Sequence, residues 1–219
     1  MKKYNLIRIG ILGLAFFGMN HAALASKKIT AEKILEKVHQ KVKSIQTLEA
    51  DFEETFHWVM IDEKQTFSGK LYIGEGDKFR LQTAGQVIVS DGKTLWTYDA
   101  GKKQVLIDAV DQSGNDLLPR RLLLKFQKDY RAKLIKEDTI DKRLCYVLEL
   151  VSESEDVFIP KMTVWIDKQT WLTKKLRYED VNQNITIYQL GKIKINRKIA
   201  ENIFRYKIPP DVQVIDMRE

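Results

Sequence analysis

Residues 87–98 read Val87-Ile88-Val89-Ser90-Asp91-Gly92-Lys93-Thr94-Leu95-Trp96-Thr97-Tyr98, two short β-type runs on either side of Asp91-Gly92. Asp-Gly readily supplies the positive φ that a tight turn demands, so the two runs predict an antiparallel hairpin. The same grammar extends outward. Upstream, Phe67, Gly69, Leu71 and Ile73 alternate with polar neighbours, Gly74-Glu75-Gly76-Asp77 turns the chain, and Phe79, Leu81 and Thr83 follow. Before these, Leu48, Ala50, Phe52, Phe56, Trp58 and Met60 alternate with Glu49, Asp51, Glu53, Thr55 and His57, and only Glu54 breaks the row. Downstream, Asp99-Ala100-Gly101 leads into 105–110, and further runs cover 130–138, 142–151, 157–167, 171–181 and 184–196. The reading gives eleven candidate strands. Tight turns between consecutive strands predict an antiparallel meander, because parallel pairing requires crossover helices. A sheet of so many strands should curl, and its apolar inner face must be covered.

Two helical segments are available to cover it. Thr30 is a candidate N-cap, Glu32 suits the positive end of the helix dipole, and Ile34, Leu35, Val38, Val42, Ile45 and Leu48 recur at helical spacing, which predicts an amphipathic helix over 30–47. Leu117, Leu118, Leu122, Leu123 and Phe126 suggest a second, short helix within 114–126 around Pro119. The fold class expected is mainly β with helices (α+β): a strongly curved antiparallel sheet of about eleven strands capped by two helices.

Composition narrows the function classes. The chain has 219 residues, 44% hydrophobic and 31% charged, which is ordinary for a globular protein. Met1 to Arg8 is basic, Ile9 to Met19 is almost wholly apolar, and Ala23-Leu24-Ala25 places small residues before Ser26. This is the layout of a cleaved secretory signal peptide, and its apolar run is far short of the roughly 20 residues of a membrane span. Cleavage would leave Ser26 to Glu219 as one exported domain, and the loss of Lys2, Lys3 and Arg8 would lower the net charge from +7 to +4. So small an excess, with no dense basic run, argues against nucleic acid as a partner. A lone cysteine, Cys145, excludes an internal disulfide and a Cys-based zinc site, and it stands within a strand as a buried, inert thiol.

No catalytic constellation emerges. After processing only His39 and His57 remain, both on polar sides of their elements, and there is no nucleophile elbow, P-loop or dinucleotide fingerprint. A metal, a cofactor and an enzymatic activity are not expected. The chain is instead rich in aromatics, with nine Phe, eight Tyr and four Trp, many of them in strand-like runs. A curled sheet of this width has room for a ligand cavity, and two helices alone look insufficient to fill it, so an apolar binding groove is expected. Phe52 and Trp96 are candidates for its lining.

At this point the sequence becomes recognisable. Val89 to Asp99 closely resembles the central hairpin of the periplasmic outer-membrane lipoprotein carrier family, LolA. Leu48-Glu49-Ala50-Asp51-Phe52 is similar to the family's first strand, Gly69 to Leu81 to its next hairpin, and Phe204 to Asp216, with Pro209-Pro210, to its closing segment. The resemblance implies an unclosed β-barrel lidded by helices, whose cavity holds the acyl chains of a lipoprotein, without a cofactor. It implies that Phe79 and Leu81 face the cavity and that Leu117, Leu118 and Leu122 lie in the lid helix. It implies as partners acylated lipoproteins or related lipids, an inner-membrane lipoprotein-releasing ABC transporter and, at the outer membrane, a LolB-like receptor, with the carrier itself a periplasmic monomer. One departure stands out: family members commonly carry Arg-Pro in the turn before Phe79, where this chain has Glu75-Gly76, so no arginine can latch a lid from there. A diverged carrier of another lipid and a lipid-sensing regulatory domain are the alternatives on this scaffold. The pathway's receptor is disfavoured, because no cysteine at the signal cut is available for lipidation.

Overall fold

The computed structural model describes residues 28–110, 130–154 and 157–218. The expected helix forms as α1 (Ala31–Lys43), with Thr30 Oγ1 accepting from the Lys33 amide as its N-cap. It stops short of residue 47 because Ser44 turns back on the last carbonyls and the Gln46 amide is taken by Asn196 Oδ1 at 2.9 Å, which releases Ile45 into a different part of the core.

The strands are β1 (Leu48–Trp58), β2 (Glu63–Ile73), β3 (Lys78–Thr83), β4 (Gln86–Asp91), β5 (Thr94–Asp99), β6 (Gln104–Ala109), β7 (Tyr130–Ile140), β8 (Arg143–Ser152), β9 (Lys161–Asp167), β10 (Thr173–Glu179), β11 (Ile185–Ile195) and β12 (Gln213–Asp216). They form one sheet in the order β12-β6-β5-β4-β3-β2-β1-β11-β10-β9-β8-β7. The sheet is curled and unclosed, with β12 and β7 at its two edges. The described residues therefore form twelve strands where the sequence predicts eleven. The addition, β12, lies parallel to β6, with Val214 opposite Val105. A four-residue strand reached by a long return of the chain carries no turn signal, and parallel pairing leaves no hairpin to read.

The meander is cut once. Successive strands pair from β1 to β6 and again from β7 to β11, and the two runs are joined by β1 against β11. At the predicted hairpin, Gly92 takes φ 94° and Asp91 Oδ1 accepts from the amides of Lys93 and Thr94, both at 2.9 Å. The turn before Phe79 also uses glycine, with Gly76 at φ 67°. β1 ends earlier than its apolar alternation suggests: Val59–Ile61 form a single 3-10 turn, Asp62 adopts φ 49°, and Met60 is left 97% exposed at the hairpin tip.

Because paired residues share a face, the register defines an inner side carrying Leu48, Ala50, Phe52 and Glu54 of β1. α1 lies on this side over β7 to β10, burying Ile34, Leu35 and Val38 against Leu148, Leu150, Val164, Ile166 and Leu176. On the opposite side the C-terminal segment covers β3 to β5: Phe204 is buried beside Gly74, Arg80 Nη1 donates to the Ile203 carbonyl, and Tyr206 stacks on Tyr98. A Cβ at Gly74 would come within 2.9 Å of the Phe204 ring, so this close approach requires glycine.

Candidate functional site: an open cavity on the inner face

The helix covers only the β7–β10 half of the inner face. Over β1 to β5, with Tyr188 of β11 at its border, lies a cavity of about 690 Å³. That volume falls within the range of small-molecule sites. Its apolar floor is built from Phe67, Phe79, Leu81, Ile88 and Leu95, one or two per strand at alternate positions, so each points inward from its own pleat. Thr66, Thr83 and Thr97 and the loop 84–86 form a more polar rim.

The structure places the expected residues in three ways. Phe79 and Leu81 line the cavity, and they also pack with Leu95, Val110 and Ile88 in a small cluster of their own. Phe52 lies on the same face but does not line the cavity: it is buried in the core cluster with Leu71, Ile73 and Leu190, and its ring covers Gly69, where an added Cβ would meet Phe52 Cε1 at 2.8 Å and the Gln82 carbonyl oxygen. Trp96 corrects the expectation. It pairs with Val89 and Ile107 on the outer side of β5, whereas its neighbours Leu95 and Thr97 line the cavity, because successive strand residues point to opposite faces. Leu117, Leu118 and Leu122, with the whole predicted helix 114–126, lie outside the described residues.

The sequence reading did not select Glu54 and Tyr188 as site residues, although both line the cavity. They face each other across β1 and β11, and Tyr188 Oη donates to Glu54 Oε1 at 2.9 Å. Burial raises the Glu54 carboxyl above its ordinary range, and the Tyr188 hydrogen bond only partly offsets this. Burial likewise raises the Tyr188 phenol, reinforced by the neighbouring negative charge of Glu54. The available signal was Glu54 itself, the one break in the apolar alternation of β1. Cys145 takes no part: it is buried on the opposite face, and burial pushes its thiol pKa upward.

An unclosed, curled sheet with one half of its inner face plugged by a helix and a cavity left over the other half by the described residues defines an open-barrel fold. A sequence model of the outer membrane lipoprotein carrier protein LolA family matches residues 43–207, and the chain belongs to that family. Among individual relatives, an outer-membrane lipoprotein carrier protein of Glaesserella parasuis is 28% identical over 217 residues, covering 98% of each chain. An uncharacterised protein of Methanocaldococcus jannaschii is 25% identical over 216 residues, where this chain spans 59% of the relative's length. Among solved structures, an uncharacterised conserved protein of Thermus thermophilus superposes with a TM-score of 0.56 at 17% identity, covering 85% of this chain and 98% of that one, which is a likeness of fold.

Proposed function

We propose that this protein is a non-enzymatic periplasmic carrier that shelters the acyl chains of lipoproteins, or of related lipids, while they cross an aqueous compartment. The observation that carries this reading is the cavity that the described residues leave on the inner face, floored by Phe79, Leu81, Ile88 and Leu95, in a chain of the lipoprotein carrier family. In this reading Ser26 to Glu219 act as one exported monomeric domain after removal of residues 1–25. Cargo comes from an inner-membrane lipoprotein-releasing ABC transporter and passes to a LolB-like acceptor at the outer membrane. Phe79 and Leu81 are the contacts for the chains.

Release is as important as binding. Each buried methylene contributes about 0.8 kcal/mol, so complete burial of several long chains would hold cargo too tightly to hand on quickly. A cavity open at one side of an unclosed sheet favours shallow burial. The test is purification of the native protein from the periplasm, followed by mass spectrometry of whatever comes with it. The expected result is an acylated molecule in stoichiometric amount. A protein that carries no acyl-bearing molecule and takes up no hydrophobic dye overturns the reading, and turnover of a lipid would make it an enzyme instead.

A further inference from the structure

One transverse row of the inner face runs through Leu134, Leu148, Val164, Leu176, Tyr188, Glu54 and Phe67, each paired with the next across six strand junctions. A carboxylate interrupts an otherwise apolar and aromatic row at the seam between the helix-filled half and the cavity. Glu54 has a single hydrogen-bond partner among the described residues, the Tyr188 hydroxyl, and no cation is paired with it there. The charged side chains lining the cavity among the described residues are Glu54 and Asp99, both acidic, in a chain whose net charge is +7. The charge of the cavity is thus opposite in sign to that of the whole chain.

A leucine or glutamine at position 54 would fit the row without the desolvation penalty of a half-buried carboxylate. Departures of this kind from local consistency concentrate at functional sites. We propose that Glu54 is the head-group anchor of the cavity and receives the ammonium of a cationic amphiphile whose hydrocarbon chains lie over Phe79 and Leu81. This rests on the carrier reading and specifies its ligand. A carboxylate offers two oxygens and about four acceptor sites, so the bond from Tyr188 fixes its orientation and leaves capacity for a ligand. An ammonium brings three donors and a charge, and charge-assisted hydrogen bonds are about twice as strong as neutral ones. An anionic head would meet two like charges. The ammonium can belong to an aminolipid or to the free α-amino group of a lipid-modified polypeptide; the recognition chemistry is the same.

The experiment compares dodecylamine, dodecanol and lauric acid by titration calorimetry on the purified protein near neutral pH. Dodecylamine is expected to bind about tenfold more tightly than dodecanol, with lauric acid weakest, because one charge-assisted contact is gained and then reversed in sign. Glu54→Gln should bind dodecylamine and dodecanol alike while retaining its circular dichroism spectrum, and Glu54→Leu should lose the preference as well. Equal binding of the three amphiphiles, tightest binding of lauric acid, or a preference that survives in Glu54→Gln overturns the anchor and leaves the carrier reading intact. Binding of none overturns both. To separate the sources, a diacylglyceryl-cysteine peptide with a free amino group is compared with its N-acetylated form and with lysophosphatidylethanolamine. Loss of binding on acetylation, without uptake of the lysolipid, supports a polypeptide amine. Uptake of the lysolipid supports a lipid head group.

Discussion

The two halves of the inner face are built from the same kind of strand and end in opposite states. Over β7 to β10, Leu148, Leu150 and Val164 are fully buried beneath Ile34 and Val38 of α1. Over β2 to β5, Leu81 and Ile88 alternate just as regularly, and the described residues leave a cavity above them. Both halves are apolar, so hydrophobicity alone does not distinguish a packed core from a binding surface. What distinguishes them among the described residues is that α1 covers the strands of one half and not those of the other. Glu54 and Tyr188 mark the boundary.

The largest expected effect comes from truncation in the filled half. Leu148→Ala removes a fully buried side chain and should cost about 2–5 kcal/mol, read as a lowered denaturant midpoint. The same truncation in the open half, Leu81→Ala, should cost only about 1 kcal/mol, because Leu81 is partly exposed and lines the cavity that the described residues leave. Leu81→Ala should nevertheless weaken binding of a hydrophobic dye, which Leu148→Ala should not do in the fraction that stays folded. Equal stability losses would mean that the two halves are packed alike and would break the comparison.

Next in size is the corner at Asp167, at the end of β9 and on the outer side of the same strands. Burial would raise this carboxyl, but Arg143 at 2.7 and 3.2 Å and the amides of Gln169 and Thr170 outweigh it and hold the pKa down to about 2. A carboxyl depressed in the folded state contributes stability that is present above its unfolded pKa of about 4 and lost as pH falls through about 2. The contribution is about 2 kcal/mol. Asp167→Asn should therefore lower stability at neutral pH and flatten the acid limb of a stability–pH curve. An unchanged acid limb would remove Asp167 from the account.

Thr30→Ala tests the helix that makes the halves differ. Losing the N-cap bond at 3.3 Å should cost about 1 kcal/mol. It should also increase dye binding, because a loosened α1 begins to uncover the filled half. The smallest effect, and the one of opposite sign, belongs to the seam. Burial raises the Glu54 carboxyl, so the folded protein holds this proton more readily than the unfolded chain, and stability falls as pH rises through the raised value. Glu54→Gln should remove that slope and slightly raise Tm near neutral pH. A lowered Tm would mean that the carboxylate helps to hold the two runs of strands together.

Much of the architecture was legible because it is written locally. Asp91-Gly92 commits the chain to a hairpin through backbone sterics, Thr30 starts a helix by satisfying an exposed amide, and alternation in β1 to β5 sorts inner from outer residues. Phe79 and Leu81 were legible as strand residues by their alternation, and as cavity residues only through the resemblance to the carrier family. Trp96 was not, because aromatic character says nothing about which face of a strand is hollow; one step of the pleat puts it on the outer side. β12 was missed because its pairing with β6 depends on a long return of the chain.

The sequence by itself determined the mainly antiparallel composition, the amphipathic helix at the start and the single interruption at Glu54, since each follows from spacing, capping and turn chemistry within about 20 residues. Only the tertiary structure decided that β1 joins β11, that α1 shelters one half of the inner face, and that Glu54 meets Tyr188 at the edge of a cavity. Those outcomes depend on contacts between segments more than 100 residues apart, as in the Tyr188–Glu54 bond with its separation of 134. Such contacts form only when the whole sheet closes its register, and no local pattern encodes them.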